Sequence, residues 1–322
     1  MCTAISYTHG RHYFGRNLDL ELDYGEAVVT MPRNVPLHFR RAGDLPRHHA
    51  MIGMAALAQG YPLYFDAVNE HGLAMAGLNF PRSARYFPPA PGRDNLAPFE
   101  LIPWVLGKCA TLAQAADLLK SCNLAAIPFS RELPLTPLHW LLADQTGSLA
   151  VESTCRGLEL HPDPVGVLTN EPPFPGQMHR LQHHLQLSPM PPENKFAPDL
   201  ALEPDSRGMG ALGLPGDWSS GSRFVRAAFL TQHSPEAGEG VAQFFHLLAA
   251  VAMPRGAVQL ENGAWEITRY SSCCDTAAGI YYYTTYENPA PTAVLLSDAD
   301  LESSSLRVVP LVTEPRILVQ EP

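Results

Sequence analysis

The chemistry legible in this chain begins at its second residue. Cys2 follows Met1 directly. Removal of Met1, which a small second residue favours, would place a thiol and a free α-amine on one residue. In free peptides the amine titrates near ~8 and the thiol near ~8.5, so both are poised close to neutral pH. Such a residue holds a nucleophile and its own general base, the logic of Thr/N-terminal-amine nucleophiles. The competing reading is a small buried hydrophobe that happens to stand second.

Other residues could complete that chemistry. Arg16-Asn17-Leu18-Asp19 offers a cation and a carboxylate three apart. A cation beside a thiol stabilises the thiolate, and a carboxylate can orient an amine by a charge-assisted hydrogen bond. A turn-side ion pair explains the same residues equally well. Asn79 and Asn170 each end an apolar run, in Gly77-Leu78-Asn79-Phe80-Pro81 and Leu168-Thr169-Asn170-Glu171-Pro172. Asn at a strand end is either turn chemistry or an amide placed for an oxyanion. Arg223 opens a helical pattern after Ser219-Ser220, where the helix dipole disfavours a cation. It is a solvated side chain tolerating that cost, or a group held for a developing anion.

Several patterns read better as structure. Gly208-Met209-Gly210-Ala211-Leu212-Gly213 matches G-x-G-x-x-G, but no strand precedes it and Leu214-Pro215-Gly216 breaks any helix after it. A structural loop is expected there, not a dinucleotide site. His179 and His183 are four apart and His184 follows, without the adjacent Glu of a metal helix, so no metal is expected. Cys109, Cys122, Cys155, Cys273 and Cys274 form no Cys-x-x-Cys and read as free thiols. No cofactor is called for.

The elements that must position these residues follow from pattern. Thr3–Tyr7 and His12–Arg16 read as a hairpin turning at Thr8-His9-Gly10, which brings Arg16 to Asp19 back beside Cys2. Strands are expected at Ala27–Met31 and Ala50–Leu57. Further hairpins are expected from Leu63–Val68 with Leu73–Leu78, and from Leu138–Leu142 with Leu149–Ser153. Val165–Thr169 runs into Asn170. Helices are expected at Phe99–Cys109, Leu112–Cys122 behind a Thr111/Gln114 capping box, Ser222–Thr231 and Gly240–Ala252. Trp265–Ser271 and Ile280–Tyr286 pair as strands, with Ala293–Leu296 and Arg307–Val312 after them. A Pro/Gly-rich stretch, roughly residues 188–218, has the composition of a long loop. Runs of strands between runs of helices point to antiparallel sheets with helices layered on them, an α+β class.

The 322 residues are 46% hydrophobic and 17% charged, with a net charge of -10. That balance disfavours nucleic acid or an anionic membrane as partner. The N-terminus has no basic n-region or apolar h-region, and no apolar run reaches membrane length. A cytoplasmic location is the resulting expectation.

Taken together, Met1-Cys2-Thr3, Phe14-Gly15-Arg16-Asn17-Leu18-Asp19, Tyr24-Gly25-Glu26, Asn69-Glu70-His71-Gly72-Leu73, Gly77–Pro81, Thr169-Asn170, Ser222–Ala227 and Tyr281-Tyr282-Tyr283 resemble the choloylglycine hydrolase family. That family contains bile salt hydrolases and penicillin V acylases. The resemblance implies an αββα four-layer sandwich, the N-terminal-nucleophile hydrolase fold, as one domain over residues 2–322. It implies Cys2 as nucleophile with its own α-amine as base, Arg16 poising the thiol and Asp19 holding the amine. Asn79 and Asn170 would form the oxyanion hole, and Arg223 would stabilise charge. It further implies cleavage of glycine- or taurine-conjugated bile salts and a homotetramer using the Pro/Gly-rich stretch. The chain departs from family members that carry a propeptide, since Cys2 follows Met1 directly, and activation by Met1 removal alone is expected. Leu20, Tyr24 and Phe65 are the candidate walls of a steroid pocket, or ordinary core packing. Asn79 resembles the bile salt hydrolase branch, where penicillin V acylases tend to carry Tyr. A penicillin V or acyl-homoserine-lactone acylase is the alternative, and a catalytically silent bile-salt-binding protein the alternative of another class.

Overall fold

A computed structural model describes residues 1–235 and 240–320. Its centre is a pair of antiparallel sheets packed face to face. In the first, the strands lie in the order Val167–Leu168, Cys2–His9, Arg11–Leu20, Trp265–Asp275, Ile280–Thr285 and Thr292–Leu295, with Val258–Gln259 paired at the end of Trp265–Asp275. In the second the order is Gly157–Pro162, Gly147–Thr154, Leu138–Asp144, Ala74–Asn79, Tyr61–Asn69, Met51–Ala58, Ala27–Met31 and Arg307–Pro310.

Helices cover both outer faces. Ser220–His233 and Gly240–Ala249 pack on the first sheet, and Leu101–Lys108 packs on the second. Two apolar cores result. One joins Ile5, Phe14, Leu78, Leu141, Phe224 and Phe244, and the other joins Val29, Met75, Trp104, Leu106 and Trp140. This is the expected four-layer αββα sandwich. Strands inside it are buried on both faces, as Arg11–Leu20 is almost throughout. That strand nevertheless carries Arg16, Asn17 and Asp19 among its buried residues, so its burial is not written as an apolar run.

Several boundaries differ from the sequence expectation. The helix expected to reach Cys122 stops at Leu119, and Cys122 starts a short strand, Cys122–Leu124, parallel to Asp94–Leu96. Thr111 caps that helix by accepting the Gln114 N–H at 3.3 Å, but the Gln114 side chain reaches back to the Ala110 N–H at 2.8 Å. The reciprocal arm of a capping box therefore lands one residue early. The strand Gly157–Pro162 and the helix Phe174–Leu181 were not foreseen; the helix holds two Gly/Pro positions in eight residues, which masks its pattern. Residues 188–216 are loop, with a single turn of 3-10 helix at Met209–Ala211. There a Cβ on Gly210 would overlap the carbonyls of Met190 and Ser188. The glycine thus serves close chain approach, not a phosphate.

Candidate active site

Cys2 heads the strand Cys2–His9 and pairs with Leu18, while Arg16 pairs with Ala4. Cross-strand partners share a face and neighbours alternate. Cys2, Ala4, Arg16 and Leu18 therefore face the second sheet. Thr3, Asn17 and Asp19 face the helix layer, and Asn17 reaches the Leu248 carbonyl there at 2.9 Å. The expected return of Arg16–Asp19 beside Cys2 is what the hairpin achieves, and the site lies on both faces of the sheet at the open end of this hairpin.

On the helix side, Arg223 is fully buried in the first turn of Ser220–His233. It donates to the Trp218 carbonyl at 3.0 Å, to Thr3 Oγ1 at 2.6 Å and to Asn170 Oδ1 at 2.7 Å, and its Nη1 also reaches the Cys2 carbonyl. Asp19 Oδ2 lies 3.9 Å from Arg223 Nη1. Burial pulls the Arg223 guanidinium below its ordinary value, and Asp19 and Cys2 oppose that shift. Asp19 Oδ1 accepts from Thr268 at 2.6 Å, while its buried Oδ2 has no hydrogen-bond donor among the described residues.

Asn170 follows the strand Val167–Leu168. Its backbone is fixed by Ser220 Oγ, which accepts its N–H at 2.8 Å, and by Gln177 Nε2, which donates to its carbonyl at 2.6 Å. Its Oδ1 accepts the Cys2 N–H at 2.9 Å, and its Nδ2 donates to the Asn79 carbonyl at 2.8 Å. The acceptor end of Asn170 thus faces the Cys2 nitrogen, and one amide proton joins Asn170 to the end of Ala74–Asn79. The Asn79 side chain is half-buried beside it.

On the inter-sheet side Arg16 is fully buried. It donates to the Phe65 carbonyl at 2.9 Å and to the Gly77 carbonyl, while its Nη2 has no hydrogen-bond acceptor among the described residues. Burial alone would push this guanidinium down; the summed attraction of Cys2, Tyr270, Asp66 and Asp19 leaves it raised.

Met1 occupies the outer end of this arrangement. Its ammonium donates to the Asp19 carbonyl at 2.6 Å and pairs with Glu266, and its carbonyl accepts the Asp19 N–H at 3.0 Å. Met1 therefore caps the Cys2 nitrogen as an amide, and Cys2 itself is buried.

Of the proposed pocket residues, Leu20 and Phe65 are half-buried against the core and Tyr24 is exposed, its ring 6.2 Å from that of Phe65. Sequence reasoning gave no role to Thr3, Asp66, Thr268, Tyr270, Ser272 or Tyr281. Thr3 and Tyr281 stood inside the family motifs, and Asp66 carried a signal of its own, a carboxylate inside the apolar run Leu63–Val68.

Metal-ligand spacing occurs elsewhere. His49, Glu70 and His71 offer ligand atoms within 4.8 Å of one another. Glu70 is already held by Arg33 and by the Ala50 N–H at 2.9 Å, and Arg33 and Arg47 line the same cavity. A divalent cation there would meet two fixed positive charges. His179 and His183 instead stack edge to face at 5.6 Å.

The sequence pattern of the linear amide C–N hydrolases, choloylglycine hydrolase family, matches residues 2–309. The chain belongs to that family. A bile salt hydrolase/transferase of Lactiplantibacillus plantarum is 46% identical over 318 residues, 98% of each chain. The solved structure of a conjugated bile acid hydrolase from Clostridium perfringens superposes with a TM-score of 0.94 at 32% identity, covering 100% of both chains. A penicillin V acylase from Agrobacterium tumefaciens shares the fold, with a TM-score of 0.76 at 21% identity over 96% of this chain and 91% of its own. As a member of the choloylglycine hydrolase family, the chain is an enzyme that cleaves linear amide C–N bonds.

Proposed function

We propose that this enzyme is a bile salt hydrolase that cleaves the amide of glycine- or taurine-conjugated bile acids with Cys2 as an N-terminal nucleophile. The near-full-length likeness to a bile salt hydrolase/transferase supports the substrate. The observation that carries the mechanism is the convergence of Asn170 Oδ1 on both the Cys2 nitrogen and Arg223. An acceptor at 2.9 Å from that nitrogen is what a terminal amine needs to be held as a base.

Loss of Met1 frees the Cys2 amine. The amine takes the thiol proton as Sγ bonds to the amide carbon, and the tetrahedral oxyanion is stabilised by Asn79 and by the remaining Asn170 amide proton. The α-ammonium returns its proton to the leaving nitrogen as the C–N bond breaks, releasing glycine or taurine and leaving a thioester. Water, deprotonated by the amine, cleaves the thioester and restores the thiol. Asp19, beside the amine with an open Oδ2, steadies the ammonium. Arg223 balances Asp19 and Asn170, and Arg16 supports the thiolate from the other face. Leu20, Tyr24 and Phe65 flank the steroid.

The same reading makes residues 2–322 one domain acting as a cytoplasmic homotetramer without cofactor or metal; residues 236–239 and 321–322 lie outside the described part. Leu185, Met190, Phe196, Leu202 and Leu212, each at least half exposed in or beside the long loop, support assembly through that segment. No helix among the described residues is long and apolar enough to cross a membrane.

The test is amine release from glycocholate, taurocholate and penicillin V by protein shown by mass to begin at Cys2, with Cys2→Ala as control. Conjugated bile salts should lead, and the control should be silent. Penicillin V in the lead would keep the nucleophile and overturn the substrate. Stoichiometric Cys2 alkylation without turnover of any substrate would indicate a silent binding protein.

A further inference from the structure

We infer that Asp66 is a positioning residue for Arg16, anchoring the guanidinium between the two sheets and cancelling part of the charge it presents to Cys2. The inference rests on the proposed roles of Cys2 and Arg16. Its basis is a reciprocal grip. Arg16 leaves the first sheet and is bonded by carbonyls of the second, those of Phe65 and Gly77. Asp66 leaves the second sheet and is bonded by hydroxyls of the first. Tyr270 and Tyr281 each donate to it at 2.6 Å and Ser272 at 3.2 Å. Ser272 Oγ also accepts the Arg16 N–H at 3.1 Å, so one hydroxyl joins the cation's backbone to the carboxylate.

Two irregularities in the sheets make this grip. Between Met54–Asp66 and Ala55–Tyr64 the pairing slips by one residue, leaving Phe65 as a bulge. The bulge frees the Phe65 carbonyl for Arg16 and turns Asp66 inward although Tyr64 points to the other core. A second slip leaves Arg269 unpaired, so Thr268 faces Asp19 while Tyr270 and Ser272 face Asp66. An isolated carboxylate in this interior would be strongly disfavoured. Burial outweighs the pull of Arg16, Tyr270, Tyr281 and Ser272 and leaves the Asp66 carboxyl raised, but both of its oxygens accept hydroxyl protons, the arrangement of a carboxylate. The charged or titratable neighbours of the pair are Cys2 and Asp19 from the N-terminal hairpin, with Tyr270, Cys274 and Tyr281 from the strands beside it.

The test is the rate of Cys2 alkylation by iodoacetamide, followed on the Cys2 peptide by mass, in protein beginning at Cys2. Asp66→Asn keeps shape and removes the charge. Unmasking Arg16 should stabilise the thiolate and speed alkylation roughly 3–10-fold at about pH 5.5. Tyr281→Phe removes one of the three hydroxyls that donate to Asp66, weakens its hold on negative charge, and should act in the same direction by less; it serves if Asp66→Asn does not fold. A purely structural Asp66 would lower Tm and leave the alkylation rate unmoved, and that result, or slower alkylation, overturns the inference. Arg16→Gln separates the two claims. It should slow alkylation roughly tenfold or more; if it does not, the proposed role of Arg16 fails and the inference falls with it, whereas slowing by Arg16→Gln with an unmoved rate in Asp66→Asn overturns the role of Asp66 alone.

Discussion

Asn170 is joined to three neighbours by one amide group: the Cys2 nitrogen and Arg223 through Oδ1, and the Asn79 carbonyl through Nδ2. Asn170→Ala should lower kcat roughly 100-fold or more, the usual scale for a lost oxyanion-hole donor, while the fold persists because Ser220 and Gln177 hold the backbone. Steady-state kinetics with a circular dichroism control checks both halves, and unchanged kcat would remove Asn170 from the mechanism. At this scale the sequence was informative where a residue type has few uses. A Cys in second place pairs a thiol with a terminal amine, and an Arg in a helix's first turn sits against the dipole, whereas an Asn at a strand end is as well explained by turn chemistry until its partners are known. Thr3, Thr268 and Ser272 are no easier to read, since a hydroxyl on a strand is unremarkable until its partner across the sheet is known.

The strands show why those partners were hidden. A one-residue slip exchanges the faces of every residue beyond it, and both slips here fall beside the site. Thr268 stands two residues from Tyr270, so plain alternation would put them on one face; the bulge at Arg269 sets them on opposite faces. Thr268→Val should therefore strip Asp19 Oδ1 of its donor and destabilise the protein by about 1–3 kcal/mol, the cost of a buried unpaired acceptor. Urea midpoints measure this, and a change near zero would show that Asp19 finds another partner. Gly15 tests the sheet more harshly. A Cβ there would overlap the backbone of Ser272, so Gly15→Ala should force Arg11–Leu20 and Trp265–Asp275 apart and give little folded protein. Normal yield and Tm in that variant would contradict the close approach. Hairpins and amphipathic helices were legible because their signals are local. The strand Cys122–Leu124 was not, because its pairing with Asp94–Leu96 lies outside any local pattern.

For the molecule as a whole, the order of strand and helix runs was enough to indicate layered antiparallel sheets, and the family motifs supplied the four-layer stacking. The sandwich also buries ionisable groups that couple its stability to pH. Burial pushes the His12 imidazole down to about 4, and its ring nitrogens are bonded to Ser6 at 2.9 Å and Thr276 at 3.0 Å. The unfolded chain therefore binds a proton there first, and this share of stability, present above about pH 6.5, is lost as pH falls toward 4. Its size is of order 3 kcal/mol. His12→Gln should flatten that part of the stability–pH curve, read from urea midpoints at several pH values; an unchanged slope would place the acid sensitivity elsewhere. Assembly is tested by sedimentation. The 35.2 kDa chain should run as a tetramer, and Phe196→Asp with Leu202→Asp should shift it toward smaller species. The most direct measurement of the central claim is acid-quenched intact mass and peptide mapping during glycocholate turnover. A cholyl adduct should appear on chains that begin at Cys2, held as a thioester on Sγ, and none on Met1-retaining chains or on Cys2→Ala. Full turnover by Met1-retaining protein, or an acyl group on any other residue, would contradict it.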